Sequence, residues 1–130
     1  MNGRETALVT GGSGRIGRAI AAELACVDLD VAIGYHSDED GAREAAEAVE
    51  ACGRNATLVR GDVTDADAAT TLVDRANELG DLSVLVNAAG IATPGSIEDA
   101  PDRIGDALAT NVEGVVTVSA AAVESLRKTD

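Results

Sequence analysis

The chain has 130 residues, of which 45% are hydrophobic, and a formal net charge of −13. This length and hydrophobicity predict one folded domain and argue against a disordered chain. The negative charge argues against nucleic acid as a partner, and no apolar run approaches the roughly 18 residues that a membrane span requires.

The composition also bears on the core, the habitat and the cysteines. One tyrosine is the only aromatic residue, so Val, Ile, Leu and Ala must build the core, which suits a parallel sheet covered by helices. The acidic composition, with Lys128 as the only lysine, resembles proteins of salt-loving organisms, although an ordinary acidic protein is the alternative.

Residues 1–5 do not resemble a signal peptide, so we expect a cytoplasmic protein. We interpret Cys26 and Cys52 as partly buried thiols, with a disulfide as the less favoured alternative, and we predict no metal site.

Strand-like and helix-like segments alternate along the chain. Short apolar runs predict four strands, over Ala7–Thr10, Val31–Tyr35, Thr57–Val59 and Leu82–Val86. Apolar residues at helical spacing predict four helices, over residues 14 to about 25, 37 to about 52, 64–79 and 104–127. This alternation predicts a doubly wound parallel α/β sheet of the Rossmann type, with strand order 3-2-1-4. The fourth strand then lies at the edge of an incomplete sheet.

Local signals predict where several helices begin. Ser37 with Asp40, and Thr64 with Asp67, have the spacing of helix capping pairs. Pro101 is predicted to open a short helix before the last long one.

A glycine-rich turn, Thr10–Gly17, joins the first strand to the first helix. Such a turn lets a diphosphate lie against backbone N–H groups at a helix N-terminus, where a Cβ would hold the phosphate away. The strand–turn–helix context favours dinucleotide binding, although an ordinary glycine turn has the same composition.

Four segments in this order resemble the N-terminal half of a classical short-chain dehydrogenase/reductase. They are Thr10–Gly17, Asp62–Val63, Asn87–Gly90 and Asn111. The resemblance implies that Asp62 and the adjacent backbone hold the adenine amino group, that Asn87–Gly90 lines the cofactor ribose, and that Asn111 holds a water in a proton relay. The alternatives are a turn or cap carboxylate for Asp62, a tight turn for Asn87–Gly90 and a solvent-facing Asn111.

The resemblance thus predicts one catalytic residue, Asn111, and a set of residues that bind the cofactor. The predicted cofactor-binding residues are Gly11, Ser13, Gly14, Arg15, Ile16, Gly17, Tyr35, His36, Ser37, Asp62, Val63, Asn87, Ala88, Ala89 and Gly90.

The chain departs from the family pattern in two ways. Glycines at 11, 14 and 17 also match extended members such as sugar-nucleotide epimerases, while Arg15 matches pteridine-reductase-like members. The Asn87–Gly90 segment and Asn111 favour the classical type. The catalytic Tyr-x-x-x-Lys is absent, since the only tyrosine is Tyr35. We therefore expect a single NAD(P)-binding domain over residues 1–130, truncated relative to a full-length member and inactive alone.

The end of the second strand bears on the choice of cofactor. NAD-preferring folds place an acidic residue there, whereas this chain has Tyr35–Ser37, and Arg15 could approach a 2′-phosphate. NADP is therefore predicted, with NAD as the alternative because Asp38 and Glu39 lie close by.

Two functions fit the sequence. The first is an oxidoreductase that transfers hydride between nicotinamide and a small carbonyl or alcohol substrate, for which this chain supplies the cofactor half. The second is a non-catalytic dinucleotide-binding or association module. The Val- and Ala-rich last helix and the open sheet edge predict a homo-oligomer or a complementing chain.

Overall fold

The four strands pair in parallel in the order β3-β2-β1-β4, which confirms the predicted topology. The computed structural model describes residues 4–129. Its strands are β1 Glu5–Thr10, β2 Asp30–Tyr35, β3 Ala56–Arg60 and β4 Asp81–Asn87. Each is longer than its apolar run, because backbone pairing continues through the polar residues that flank the run.

Helices cover both faces of this sheet. They are α1 Arg15–Cys26, α2 Glu39–Ala51, α3 Ala66–Leu79, α4 Ile104–Leu108 and α5 Gly114–Lys128. Side chains alternate across β1, so Leu8 packs against α3 and α5 while Val9 packs against α1 and α2. Both residues are fully buried, and the two faces form the two halves of the core.

Three local predictions are wrong, each by a short distance. Asp38, not Ser37, caps α2, because its carboxylate accepts from the backbone N–H of Gly41 at 2.9 Å. Asp65 caps α3, since Thr64 is already bonded to Asp62. Pro101 lies inside a 3₁₀ turn over Ile97–Asp102 rather than at its start.

The last predicted helix is interrupted between α4 and α5. Residues Ala109–Glu113 form a π-helical segment, in which the N–H of Gly114 donates to the carbonyl of Ala109, five residues back. Such segments insert one extra residue into a helix and recur at functional sites. Asn111, the predicted catalytic residue, lies within this segment.

Candidate functional site

The carboxyl ends of the strands open onto a cleft of about 530 Å³. This volume lies within the range of small-molecule sites, roughly 300–1,000 Å³. Loops after all four strands line the cleft, so residues from distant parts of the chain meet there. The predicted site residues among them are Gly11, Ser13, Gly14, Tyr35, His36, Ser37, Asp62, Val63, Ala88, Ala89 and Gly90.

Two glycines of the turn allow backbone segments to approach closely. Gly11 has φ +62°, and a Cβ there would lie 2.6 Å from the carbonyl oxygen of Ala88. A Cβ on Gly17 would overlap the carbonyl oxygen of Gly11. Gly17 is buried, so it packs α1 against the turn rather than facing the cleft.

The first turn of α1 points its backbone amides towards this end of the sheet. Its N-cap is Gly14, and within residues 4–129 no side chain caps the helix there. The first N–H groups of a helix have no intrahelical acceptor, and the helix dipole makes them attractive to an anion. This glycine-rich turn, which no side chain caps, therefore fits a diphosphate.

Thr10 ties the glycine turn to the end of β4. Its hydroxyl oxygen accepts from the backbone N–H groups of Ala88 and Ala89, each at 3.2 Å. These bonds hold two walls of the cleft in one position. Thr10 is not among the predicted site residues, since its partners lie 78 and 79 positions away along the chain.

At the β2 end of the cleft, the nearby carboxylates are already engaged. Asp38 caps α2, and Glu39 pairs with Arg43 and also accepts from the Tyr35 hydroxyl at 3.4 Å. The arginine interaction is the main cause that lowers the pKa of Glu39. Arg60, from the end of β3, donates its Nε to the carbonyl of His36 at 3.1 Å. A cation that was not predicted therefore lies beside the Tyr35–Ser37 segment.

Asp62 is held in a tight turn at the end of β3. Its Oδ1 accepts from the backbone N–H of Thr64 at 2.9 Å and from the Thr64 hydroxyl at 2.7 Å. These two bonds are the main cause of a lowered Asp62 pKa, and His36 adds to it with its Nε2 4.0 Å from Oδ2. The carboxylate thus stays charged and half-exposed at the cleft.

We expect Thr64→Val to raise the pKa of Asp62 partway towards its ordinary value near 3.9. The variant removes the hydroxyl donor and keeps the backbone donor. Because the folded-state pKa is lowered, Asp62 contributes its full stabilisation above about pH 4 and loses it as the pH falls through the folded-state value. Carboxyl-carbon NMR titration measures the shift. Thr70→Val, which removes a hydroxyl bonded to the Ala66 carbonyl, should leave Asp62 unchanged.

Asn111 uses its side-chain amide to hold the loop after β4. Its Nδ2 donates to the carbonyl of Ile91 at 3.0 Å, and its Oδ1 accepts from the N–H of Ile91 at 2.8 Å. Asn111 is exposed, as the solvent-facing alternative predicts, and its amide also bonds to the backbone of Ile91. Its neighbours Ala109 and Thr110 line the cleft.

Five predicted residues lie outside the lining of the cleft. Arg15 and Ile16 are exposed on α1, Gly17 is buried behind the turn, and Asn111 is exposed and bonded to the backbone of Ile91. Asn87 donates instead to the Ser119 hydroxyl at 3.2 Å.

Several lining residues were not predicted. Besides Thr10, they include Gly34, Gly61, Ile91, Asp106, Ala109 and Thr110. Position at a strand end could have identified Gly34 and Gly61, but no local signal marks the residues of α4 and the π segment.

Two features are absent from the described part of the chain. Within residues 4–129 no group of three or more His, Cys, Asp or Glu residues is placed to hold a metal ion. No helix in the same range is long and apolar enough to cross a membrane.

Comparison with known proteins agrees with this geometry. The family model described as short chain dehydrogenase matches residues 5–130. The uncharacterized oxidoreductase YhxD of Bacillus subtilis is 41% identical over 130 residues, covering 97% of this chain and 43% of that protein. The uncharacterized oxidoreductase YghA of Escherichia coli is 36% identical, covering 94% of this chain and 43% of its own length.

Solved structures of other short-chain dehydrogenases have the same fold as this chain. A short chain dehydrogenase from Burkholderia cenocepacia in complex with NADP has a TM-score of 0.84 at 43% identity, covering 91% of this chain and 49% of that one. A short-chain type dehydrogenase/reductase from Mycobacterium marinum has a TM-score of 0.87 at 28% identity, covering 98% and 51%. The chain therefore spans about half the length of the proteins it matches.

Proposed function

Because the chain belongs to the short-chain dehydrogenase family, we propose that its cleft binds NADP for hydride transfer to or from a small carbonyl or alcohol substrate. The observation that carries this proposal is the uncapped, glycine-rich turn before α1, which opens onto the cleft. When bound, the nicotinamide supplies the hydride chemistry, and the chain positions it.

Each wall of the cleft has a part in this binding. Gly11–Gly14 would hold the diphosphate, and Asp62 and Val63, after β3, would hold the adenosine. Ala88–Ile91, which Thr10 and Asn111 hold in place, would line the nicotinamide half. Fixing these segments before binding reduces the ordering cost of association.

Proton transfer to the substrate oxygen needs a group that this chain does not supply. Its only tyrosine, Tyr35, lies at the adenosine end and contacts Glu39. Asn111 positions the Ile91 loop, and we keep its role in a water-held proton relay as part of the proposal. Residues 1–130 alone should therefore bind cofactor without substantial turnover. Turnover restored by a chain that carries Tyr-x-x-x-Lys would favour the oxidoreductase over a non-catalytic binding or association module.

The preference for NADP over NAD rests on charge at the end of β2. Asp38 and Glu39, the carboxylates that could repel a 2′-phosphate, are occupied by the α2 cap and by Arg43. Arg60 lies beside His36, and Arg15 is exposed on the first turn of α1. Arg60 favours a phosphate at this end, and Arg15, directly after the glycine turn, is the second candidate, since guanidinium groups bind phosphate through paired hydrogen bonds.

We expect calorimetry to find tighter binding of NADP than of NAD. Arg15→Ala and Arg60→Ala should each weaken NADP binding roughly tenfold, the loss of one charge-assisted interaction, and change NAD binding less than about twofold. Arg75→Ala is the matched control and should change neither affinity, because this exposed arginine on α3 contacts Thr57 and Glu78, which do not line the cleft. Tighter NAD binding would contradict the NADP preference, and no binding of either would contradict the site itself.

We also retain self-association as part of the proposal. Ile104, Leu108, Val112 and Val116 follow one another at four-residue spacing and are 49–64% exposed. A stripe of this kind is costly to leave in water, so a second copy or a complementing chain is expected to cover it. The cytoplasmic location and the salt-loving source stay predictions.

A further inference from the structure

The two cysteines meet at the far ends of α1 and α2. Cys26 is the last residue of α1, and Cys52 directly follows α2. Their Sγ atoms are 2.7 Å apart, and both residues are exposed free thiols. Our prediction of partly buried thiols is wrong, because α1 and α2 pack side by side and end together at the surface.

We propose that Cys26 and Cys52 form a reversible dithiol–disulfide pair that peroxide closes. One thiolate attacks hydrogen peroxide, which gives a sulfenic acid and one water. The second thiol then attacks that sulfur, forms the S–S bond and releases a second water. The two thiols lose two electrons and two protons in total, and the peroxide takes them up. A dithiol reductant reverses the step by thiol–disulfide exchange.

The position of the pair predicts what closure changes. The N-terminal ends of α1 and α2 face the cleft, where Gly14 and Asp38 line it. A helix as long as α1, which has 12 residues, places its last residue about 17 Å from its first. The bond would therefore tie together residues 26 positions apart without reaching the cofactor, so it should act on stability and leave binding unchanged.

The surroundings of Cys26 affect how fast the thiols are oxidised, and not whether the disulfide forms. The hydrogen bond with Cys52 raises the pKa of the Cys26 thiol, and the adjacent Glu23 carboxylate adds to this shift. A protonated thiol is a poor nucleophile, so oxidation is best followed in mildly alkaline buffer.

Treatment of the chain with hydrogen peroxide tests the proposal. We expect both thiols to disappear from a thiol titration, the intact mass to fall by two hydrogens, and dithiothreitol to reverse both changes. The oxidised monomer should melt roughly 10 °C above the reduced one, because the crosslink restricts the unfolded chain. Its affinity for NADP should change less than about twofold.

Single and double variants make the result decisive. Cys26→Ser and Cys52→Ser should each lose the mass change and the thermal shift, and the double variant should melt like the reduced chain with or without peroxide. Thiols that survive peroxide, crosslinks only between molecules, or higher oxides in place of an intramolecular bond would each overturn the proposal.

Discussion

Gly17→Ala is expected to destabilise the fold by about 2–3 kcal/mol and to weaken NADP binding by at least roughly tenfold. The added Cβ would overlap the carbonyl oxygen of Gly11 and crowd Gly12, both of them rigid backbone. The chain can relieve this contact only by moving α1 away from the turn, which displaces the amides that face the diphosphate. Chemical denaturation measures the first effect, and calorimetry measures the second.

Gly105→Ala is the matched control for this variant. Gly105 is also helical, in α4, but a Cβ there meets nothing within 4 Å among the described residues. The same substitution should be neutral or slightly stabilising at this site, since alanine is the better helix former. If Gly17→Ala retained the wild-type melting temperature and affinity, close packing at Gly17 would not be what the site requires.

Asp30→Ala is expected to lower the free energy of unfolding by about 3 kcal/mol. Asp30 is fully buried at the start of β2. Its Oδ1 accepts from Arg54 Nε at 3.1 Å and from the N–H of Asn55 at 2.9 Å, while Arg4 Nε lies 3.8 Å from Oδ2. Removing the carboxylate leaves a backbone donor and two guanidinium groups without this acceptor.

The effect stays moderate because the side chains of Arg54 and Arg4 are 25% and 53% exposed, so water solvates part of the freed charge. Asp81→Ala, an exposed position at the same end of the sheet, should cost less than about 0.5 kcal/mol. Denaturant titration compares the two variants. Equal losses would contradict a special role for the buried carboxylate.

Periodicity and turn chemistry predicted much of the fold, and the family resemblance supplied most of the predicted site residues, about two thirds of which line the cleft. The strand order follows from alternating apolar runs, and Gly11 could be placed because a turn before a helix needs a residue without a Cβ. The helix caps were missed by one residue because Ser, Thr and Asp all cap helices, and only the path of the chain selects Asp38 and Asp65.

Other features had no local signal. In the sequence, Thr10 is not distinguished from the other residues of the glycine turn. Only the pairing of β1 with β4 brings the N–H groups of Ala88 and Ala89 to its hydroxyl. The π-helical segment could not be predicted from the sequence either, because apolar spacing alone does not reveal one extra residue in a helix.

The sequence by itself determined the order of strands and helices, the need for glycine at the phosphate turn and the family resemblance. Only the tertiary structure decided that Asp30 meets Arg54, that Cys26 meets Cys52 and that Arg60 lies beside His36. The reason is distance along the chain. Periodicity and backbone sterics act among residues within about four positions of each other, whereas each of these pairs is 24 or 26 positions apart and forms only when the sheet and its helices pack.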